Sequence, residues 1–217
     1  MYMKLYLSSF RLGNYPEKLL ELLPQKPRAG VIISAKDKNG QLERSEKLRG
    51  EISILGEIGI EADEIDLRNY FNGETGLRET IAKYDLLWVA GGNVFLLRKA
   101  MAYSGADKII NDLVRSDEIV YGGYSAGACV LAPTLRGIEL CDPVDQPAAG
   151  YEKETIWDGL QLVSYSVASH YKSDHPETSM IDDVVEFFAN HKMPYKTLRD
   201  GEVIVVNGDK ETLYGLG

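Results

Sequence analysis

Short apolar runs alternate along the chain with longer stretches whose apolar positions recur at helical spacing. Residues 30–35 and 84–90 are nearly all apolar, which is typical of strands buried on both faces of a parallel sheet. Between them, residues 45–58 place Leu48, Ile52 and Leu55 near the helical period. This alternation predicts a doubly wound α/β fold, with a mostly parallel sheet and helices on both faces. Further strands are predicted at residues 4–7, 64–67 and 119–121, and further helices at 94–103 and 106–114.

The second half of the chain is less regular. Residues 143–150 read as a loop, 162–169 alternate like a half-buried strand, and 180–190 are amphipathic and helical. Two short apolar runs flank Asn207-Gly208 and predict a closing hairpin. Because no repeat, linker or low-complexity stretch interrupts the pattern, we expect one domain over residues 1–217.

Composition narrows the classes of protein. The chain has 217 residues, of which 44% are hydrophobic and 26% charged, an ordinary soluble composition. Acidic residues number 33 and basic residues 24, so the cationic surface that nucleic acids and anionic lipids require is not expected. Cys129 and Cys141 suit a reducing compartment, and the apolar stretch at residues 5–10 is too short for a signal peptide. We therefore expect a cytoplasmic protein that binds neither nucleic acid nor membrane.

The motif that carries the most chemistry follows the predicted strand at 119–121. Gly123-x-Ser125-x-Gly127 has the spacing of a nucleophile elbow, in which a serine sits on a tight strand-to-helix turn between small neighbours. The amide of Ala126 would then lie at a helix N-terminus, where an oxyanion is favoured. Glycine-rich turns also close many strand–helix units that perform no chemistry.

A second glycine turn, Gly91-Gly92-Asn93, also follows a predicted strand and precedes a predicted helix. In a doubly wound sheet such turns meet at the carboxyl edge, so two backbone amides can come together there as an oxyanion hole. Asn93 is also a residue type that commonly caps helices, and that role is compatible with a contact to substrate.

A serine nucleophile needs a base, and the chain has three histidines. His170 ends the alternating 162–169 stretch at a strand-end position and is favoured. His175 in the loop beyond it is the alternative. His191 lies near a predicted helix C-terminus, where a histidine cation complements the helix dipole, and this gives it a sufficient structural reason. The base in turn needs an orienting acid. Glu139 and Asp142 both lie between the serine and the histidine, and the residues alone leave the choice open.

No metal ion or cofactor is expected. The histidines and cysteines are scattered without ligand spacing, and no phosphate-binding loop is present.

Four motifs follow one another along the chain, at residues 91–97, 123–128, 132–136 and 169–171. Together they resemble the peptidase E family, the aspartyl dipeptidases to which cyanophycinases are distantly related. The resemblance extends from about Leu5 to Gly208. It implies a flavodoxin-like sheet related to class I glutamine amidotransferases, with serine in place of cysteine at the elbow.

The resemblance implies a serine peptidase with Ser125 as nucleophile and His170 as general base. The amides of Gly92 and Ala126 become the oxyanion hole. The segment after Arg136 is shorter than in the family, which makes Asp142-Pro143 match the later Asp-Pro pair. Glu139 is then favoured as the acid, with Asp142 as the alternative.

The implied substrate is a short peptide, including Asp-X dipeptides. An acidic substrate residue needs a nearby cation, and Arg98, Arg136 and Lys172 are candidates by position, with Asn93 as a further substrate contact. The alternatives are a serine hydrolase of another small amide or ester, and a non-catalytic small-molecule binder. A monomer or a homodimer is expected.

Overall fold

The computed structural model describes residues 2–73, 75–152 and 154–215. In chain order its strands and helices are β1 (Lys4–Ser8), α1 (Pro16–Leu20), β2 (Arg28–Ile32), α2 (Gln41–Glu57), β3 (Glu61–Glu64), α3 (Leu77–Ile81), β4 (Leu86–Val89), α4 (Val94–Ser104), α5 (Ala106–Arg115), β5 (Val120–Tyr124), α6 (Ala126–Cys129), β6 (Ser166–Ala168), α7 (Thr178–Asn190), β7 (Tyr195–Thr197), β8 (Val203–Asn207) and β9 (Lys210–Tyr214). Short 3-10 turns occur at Ser34–Lys36, Leu67–Gly73 and Ile138–Leu140.

Seven strands form one sheet in the order β3-β2-β4-β5-β1-β8-β9. The first five run parallel, whereas β8 and β9 form an antiparallel hairpin at the edge. Strands β6 and β7 pair in a separate two-stranded parallel sheet. The expected mostly parallel α/β sheet and the closing hairpin are therefore confirmed.

Both faces of the sheet are covered, which explains the nearly continuous apolar runs. In β4, Leu87 and Val89 belong to one core, whereas Leu86 and Trp88 belong to the other. Helices α1 and α2 cover the Trp88 side, and α3 to α7 cover the opposite side. Each large side chain removed from water in this way contributes about 1.5–3 kcal/mol before entropy is counted.

Three sequence predictions of strand position differ from the structure. The run at 30–35 leaves the sheet after Ile32, because the 3-10 turn begins at Ser34. Strand β3 begins three residues before the predicted 64–67 and shares only Glu64 with it; its side chains are exposed or half-buried, so it lacks the apolar signal of an inner strand. Of 162–169, only Ser166–Ala168 is a strand, because the amides of Leu162 and Val163 bind the carbonyl of Leu131 instead.

The carboxyl ends of the parallel strands meet at one edge of the sheet. Ser9, the Ser34–Lys36 turn, Gly91 and Ser125 follow β1, β2, β4 and β5 there. Because β8 runs antiparallel to β1 and pairs Val203 with Ser8, the residues just before Val203 reach the same edge. In the described part of the chain, no helix is both long and apolar enough to cross a bilayer.

Candidate active site

Ser125 occupies a strained turn between β5 and α6. Its φ of 49° and ψ of −118° lie outside the conformations that most residues adopt. The turn is held by its own amide, which donates to the carbonyl of Ser8, and by its carbonyl, which accepts from Ala128 and Cys129. A Cβ on Gly127 would lie 2.1 Å from the carbonyl oxygen of Val89, so only glycine fits there. The predicted elbow is present, with the steric cause that its spacing implies.

The second glycine turn lies against the serine. A Cβ on Gly91 would lie 2.8 Å from the Cβ of Ser125, and Gly92 has a φ of 142° that favours glycine. Among the described residues, and apart from bonds internal to helices and strands, the amides of Gly92 and Ala126 donate no backbone hydrogen bond. Both amides are therefore available to a ligand beside Ser125.

His170 is buried, with 3% of its surface exposed, and its Nδ1 lies 2.7 Å from Oδ1 of Asp200. The backbone amide of His170 donates to Oγ of Ser9 at 2.8 Å, and the same Oγ–H donates to Oδ1 of Asp200 at 2.7 Å. Burial lowers the pKa of His170, whereas Asp200 raises it. In the tautomer that donates Nδ1–H to Asp200, Nε2 is free to accept a proton.

Ser125 and His170 line the same pocket, which has a volume of about 670 Å³. Both residues also line a second, smaller cavity of about 20 Å³, and Glu177 lines both cavities. The ring of His175 stacks on that of His170, with centroids 3.7 Å apart. The structure thus brings together the predicted serine, histidine and glycine turn.

Comparison with known proteins gives the family and the fold of the chain. The sequence model of Peptidase family S51 matches residues 43–214. The chain belongs to peptidase family S51. It is 28% identical over 154 residues to the uncharacterized peptidase Lmo0363 of Listeria monocytogenes, covering 71% of each chain.

Two further comparisons are informative. The chain is 30% identical over 147 residues to a Drosophila melanogaster protein assigned as an alpha-aspartyl dipeptidase, covering 65% of this chain and 56% of that one. A crystal structure of a Listeria monocytogenes protein assigned as a peptidase E matches with a TM-score of 0.76 at 22% identity, covering 100% of both chains. The resemblance to peptidase E, the flavodoxin-like fold class and the serine-type peptidase class are confirmed.

In this S51 peptidase the carboxylate at His170 is neither of the two that the sequence favoured. Glu139 accepts from the amide of Gly137 in its own turn. Asp142 accepts from the amide of Val94 at 2.7 Å, and burial raises its pKa to about 7. Asp200 occupies the position beside Nδ1 instead, because the chain returns to the sheet edge there.

The predicted substrate contacts of the S51 peptidase are engaged elsewhere, and none of them lines the 670 Å³ pocket. Asn93 caps α4 through the amide of Leu96 and donates to the carbonyl of Pro143. Arg136 lies over the ring of Trp157, and Lys172 lies over the ring of Tyr171. Arg98 contacts Asp107 and the carbonyl of Asp158. The cations that line the pocket are Arg11, Lys36 and Lys47.

One group in the described part of the S51 peptidase has metal-ligand composition. Donor atoms of His170, His175 and Glu177 lie within 4.8 Å of one another. The two rings are stacked at 9°, so their lone pairs run side by side and do not converge. A tetrahedral ion needs converging donors, so this arrangement does not fit one without turning a ring.

The elbow glycine gives a stability prediction. We expect Gly127→Ala to lower the free energy of unfolding by about 3 kcal/mol, because its Cβ would overlap the backbone of Val89. Gly56→Ala is the control: Gly56 lies in α2 with nothing within 4 Å of an added Cβ, and a gain of about 0.5–1 kcal/mol is expected. Urea unfolding measures both. Equal stabilities of the two variants would contradict the steric account.

Proposed function

We propose that this S51 peptidase hydrolyses short peptides through an acyl-enzyme, with Ser125 as nucleophile, His170 as general base and Asp200 as the orienting acid. The observation that carries the proposal is the hydrogen bond between Nδ1 of His170 and Asp200, because His170 lines the same pocket as the strained Ser125. Base, orienting acid and nucleophile are the three parts that serine catalysis needs.

The chemistry then follows from the geometry. Nε2 of His170 takes the proton of Ser125 as its Oγ attacks the scissile carbonyl carbon. The oxyanion accepts hydrogen bonds from the amides of Gly92 and Ala126, each such donor being worth about 2.7–4 kcal/mol. Asp200 stabilises the imidazolium of His170, which then gives its proton to the departing amine. Water, deprotonated by His170, then cleaves the ester and regenerates the serine.

The charges that line the pocket support a substrate class. Among the described residues, Arg11 and Lys47 form no ion pair within 4.0 Å, whereas Lys36 lies 3.7 Å from Glu51. Arg11 and Lys47 are therefore the cations proposed to receive an acidic substrate side chain. Glu177, also without an ion pair among these residues, is proposed to receive the α-ammonium of the first residue. An Asp-X dipeptide carries both groups, and the name of the Drosophila relative is consistent with it.

A dipeptide panel tests this assignment. Turnover of Asp-Leu is expected, with much slower turnover of Leu-Leu and of N-acetyl-Asp-Leu, which lack the acidic side chain and the free amine respectively. Release of free leucine is measured for each. Hydrolysis of small acyl esters with no hydrolysis of any dipeptide would overturn the peptide assignment and favour the ester alternative.

A further inference from the structure

A buried polar network lies behind the second glycine turn, in the floor of the pocket. Nζ of Lys36 donates to the carbonyl oxygen of Gly91 at 2.7 Å and to Oη of Tyr124 at 3.1 Å. The Tyr124 hydroxyl donates to Oε1 of Glu51 at 2.5 Å. Nε1 of Trp88 donates to Oε2 of Glu51 at 3.1 Å. These groups do not take part in the proton transfers proposed for Ser125 and His170.

The hydrogen bond from Lys36 to the carbonyl oxygen of Gly91 sets the direction of the Gly92 N–H. The carbonyl oxygen of Gly91 and the amide of Gly92 belong to one planar trans peptide, so they point in opposite directions. A donor that holds the oxygen on one side therefore aims the N–H towards the other. Hydrogen bonding to the oxygen also polarises the amide and strengthens its N–H as a donor.

This peptide unit is flanked by two glycines, which restrict its orientation less than other residues would. Gly92 has a φ of 142°, and glycine adopts several other backbone conformations about as readily. The next peptide is fixed separately, because the amide of Asn93 donates to the carbonyl of Ala35 at 2.9 Å. Lys36 holds the preceding peptide, Gly91–Gly92, through its side chain. Burial lowers the pKa of Lys36, whereas the adjacent Glu51 raises it.

We propose that Lys36 is a positioning residue for the oxyanion hole: it holds the oxygen of the Gly91–Gly92 peptide and thereby aims and polarises the Gly92 amide. The inference rests on the proposed function, because that amide is catalytic only if an oxyanion forms beside Ser125. Lys36 itself touches neither the substrate carbonyl nor Ser125 in this role. It acts through the backbone.

Steady-state kinetics of Lys36→Met and Lys36→Arg test the role. In K36M kcat is expected to fall about 10- to 100-fold, less than for loss of an oxyanion donor, with KM within about threefold. K36R keeps a cationic donor and is expected to recover most of kcat. Lys99→Met is the matched control, since Lys99 is also buried and donates to a backbone carbonyl, that of Glu152, but does not line the pocket.

Folding can be separated from this effect. K36M leaves Glu51 buried without its cation, so a K36M/E51Q double variant removes that charge as well. The same loss of kcat is expected from the double variant. If either folded variant retains kcat within twofold of the parent, or if K99M loses as much as K36M, the inference is overturned.

The Gly92 amide supplies a readout that does not depend on turnover. Its ¹H and ¹⁵N chemical shifts are expected to move in K36M, to return towards the parent values in K36R, and to stay unchanged in K99M. Unchanged Gly92 shifts in K36M overturn the inference even in an active enzyme. Failure of the proposed function shows differently, as a parent protein that hydrolyses no dipeptide while its Gly92 shifts still respond to K36M.

Discussion

Replacing Ser125 with alanine is expected to lower dipeptide turnover at least about a thousandfold and to leave the fold intact. Alanine removes only Oγ, and the strained backbone at φ 49° stays as it is in the parent. Without the nucleophile no acyl-enzyme forms, and only the catalysis due to binding and the oxyanion hole remains. Leucine release from Asp-Leu and the thermal unfolding midpoint measure the two effects.

Ser53→Ala is the matched control for this variant, because Ser53 lines the same pocket from helix α2. It is expected to keep most of the activity. A fluorophosphonate probe should label the parent and the S53A variant at Ser125 but not the S125A variant. Full turnover by S125A would refute the role proposed for the serine.

The inner strands could be predicted from the sequence because the fold buries them on both faces. Residues such as Val31 and Leu87 are fully buried, and neither face of their strands meets water. The sequences of these strands are therefore apolar throughout. Strand β3 at the edge of the sheet exposes Glu61 and Asp63, and its composition carried no such signal. Strand β7 has three residues and pairs with β6, and a strand this short shows no detectable hydrophobic periodicity.

The serine and the glycine turns could be predicted because their geometry is local. A tight strand-to-helix turn requires small residues at fixed spacing, so the requirement appears directly in the sequence. The orienting acid has no such local requirement. Asp200 lies 30 residues beyond His170 and reaches it because β8 runs antiparallel to β1. Only the strand order, which the sequence pattern did not contain, brings the turn before Val203 to the site.

The pocket cations could not be predicted for the same reason. Arg11 follows β1 and Lys47 lies on α2, so they are far apart in sequence and neither belongs to a motif. The cations near the recognised motifs, Arg136 and Lys172, are exposed and lie over the rings of Trp157 and Tyr171 instead of facing the pocket.

Asp200→Asn is expected to lower kcat about 10³- to 10⁴-fold, while Glu139→Gln keeps it within about twofold. The amide of asparagine keeps the size of the side chain but removes the charge that stabilises the imidazolium and selects the Nδ1–H tautomer. Glu139 binds the amide of Gly137 in its own turn, a contact that glutamine can preserve. The pair of variants distinguishes the acid beside His170 from the acid that the sequence favoured.

The pH dependence supplies a second test of the same pair. His170 acts as a base only when neutral, so kcat/KM rises with pH through its pKa in the free enzyme. Asp200 raises that pKa, and burial and His175 lower it. Removing the Asp200 charge therefore moves the rising limb to lower pH, while Glu139→Gln leaves it in place. A rising limb that moves in E139Q and not in D200N would assign the orienting role to Glu139, and Asp200 would then be only a structural partner of Ser9 and His170.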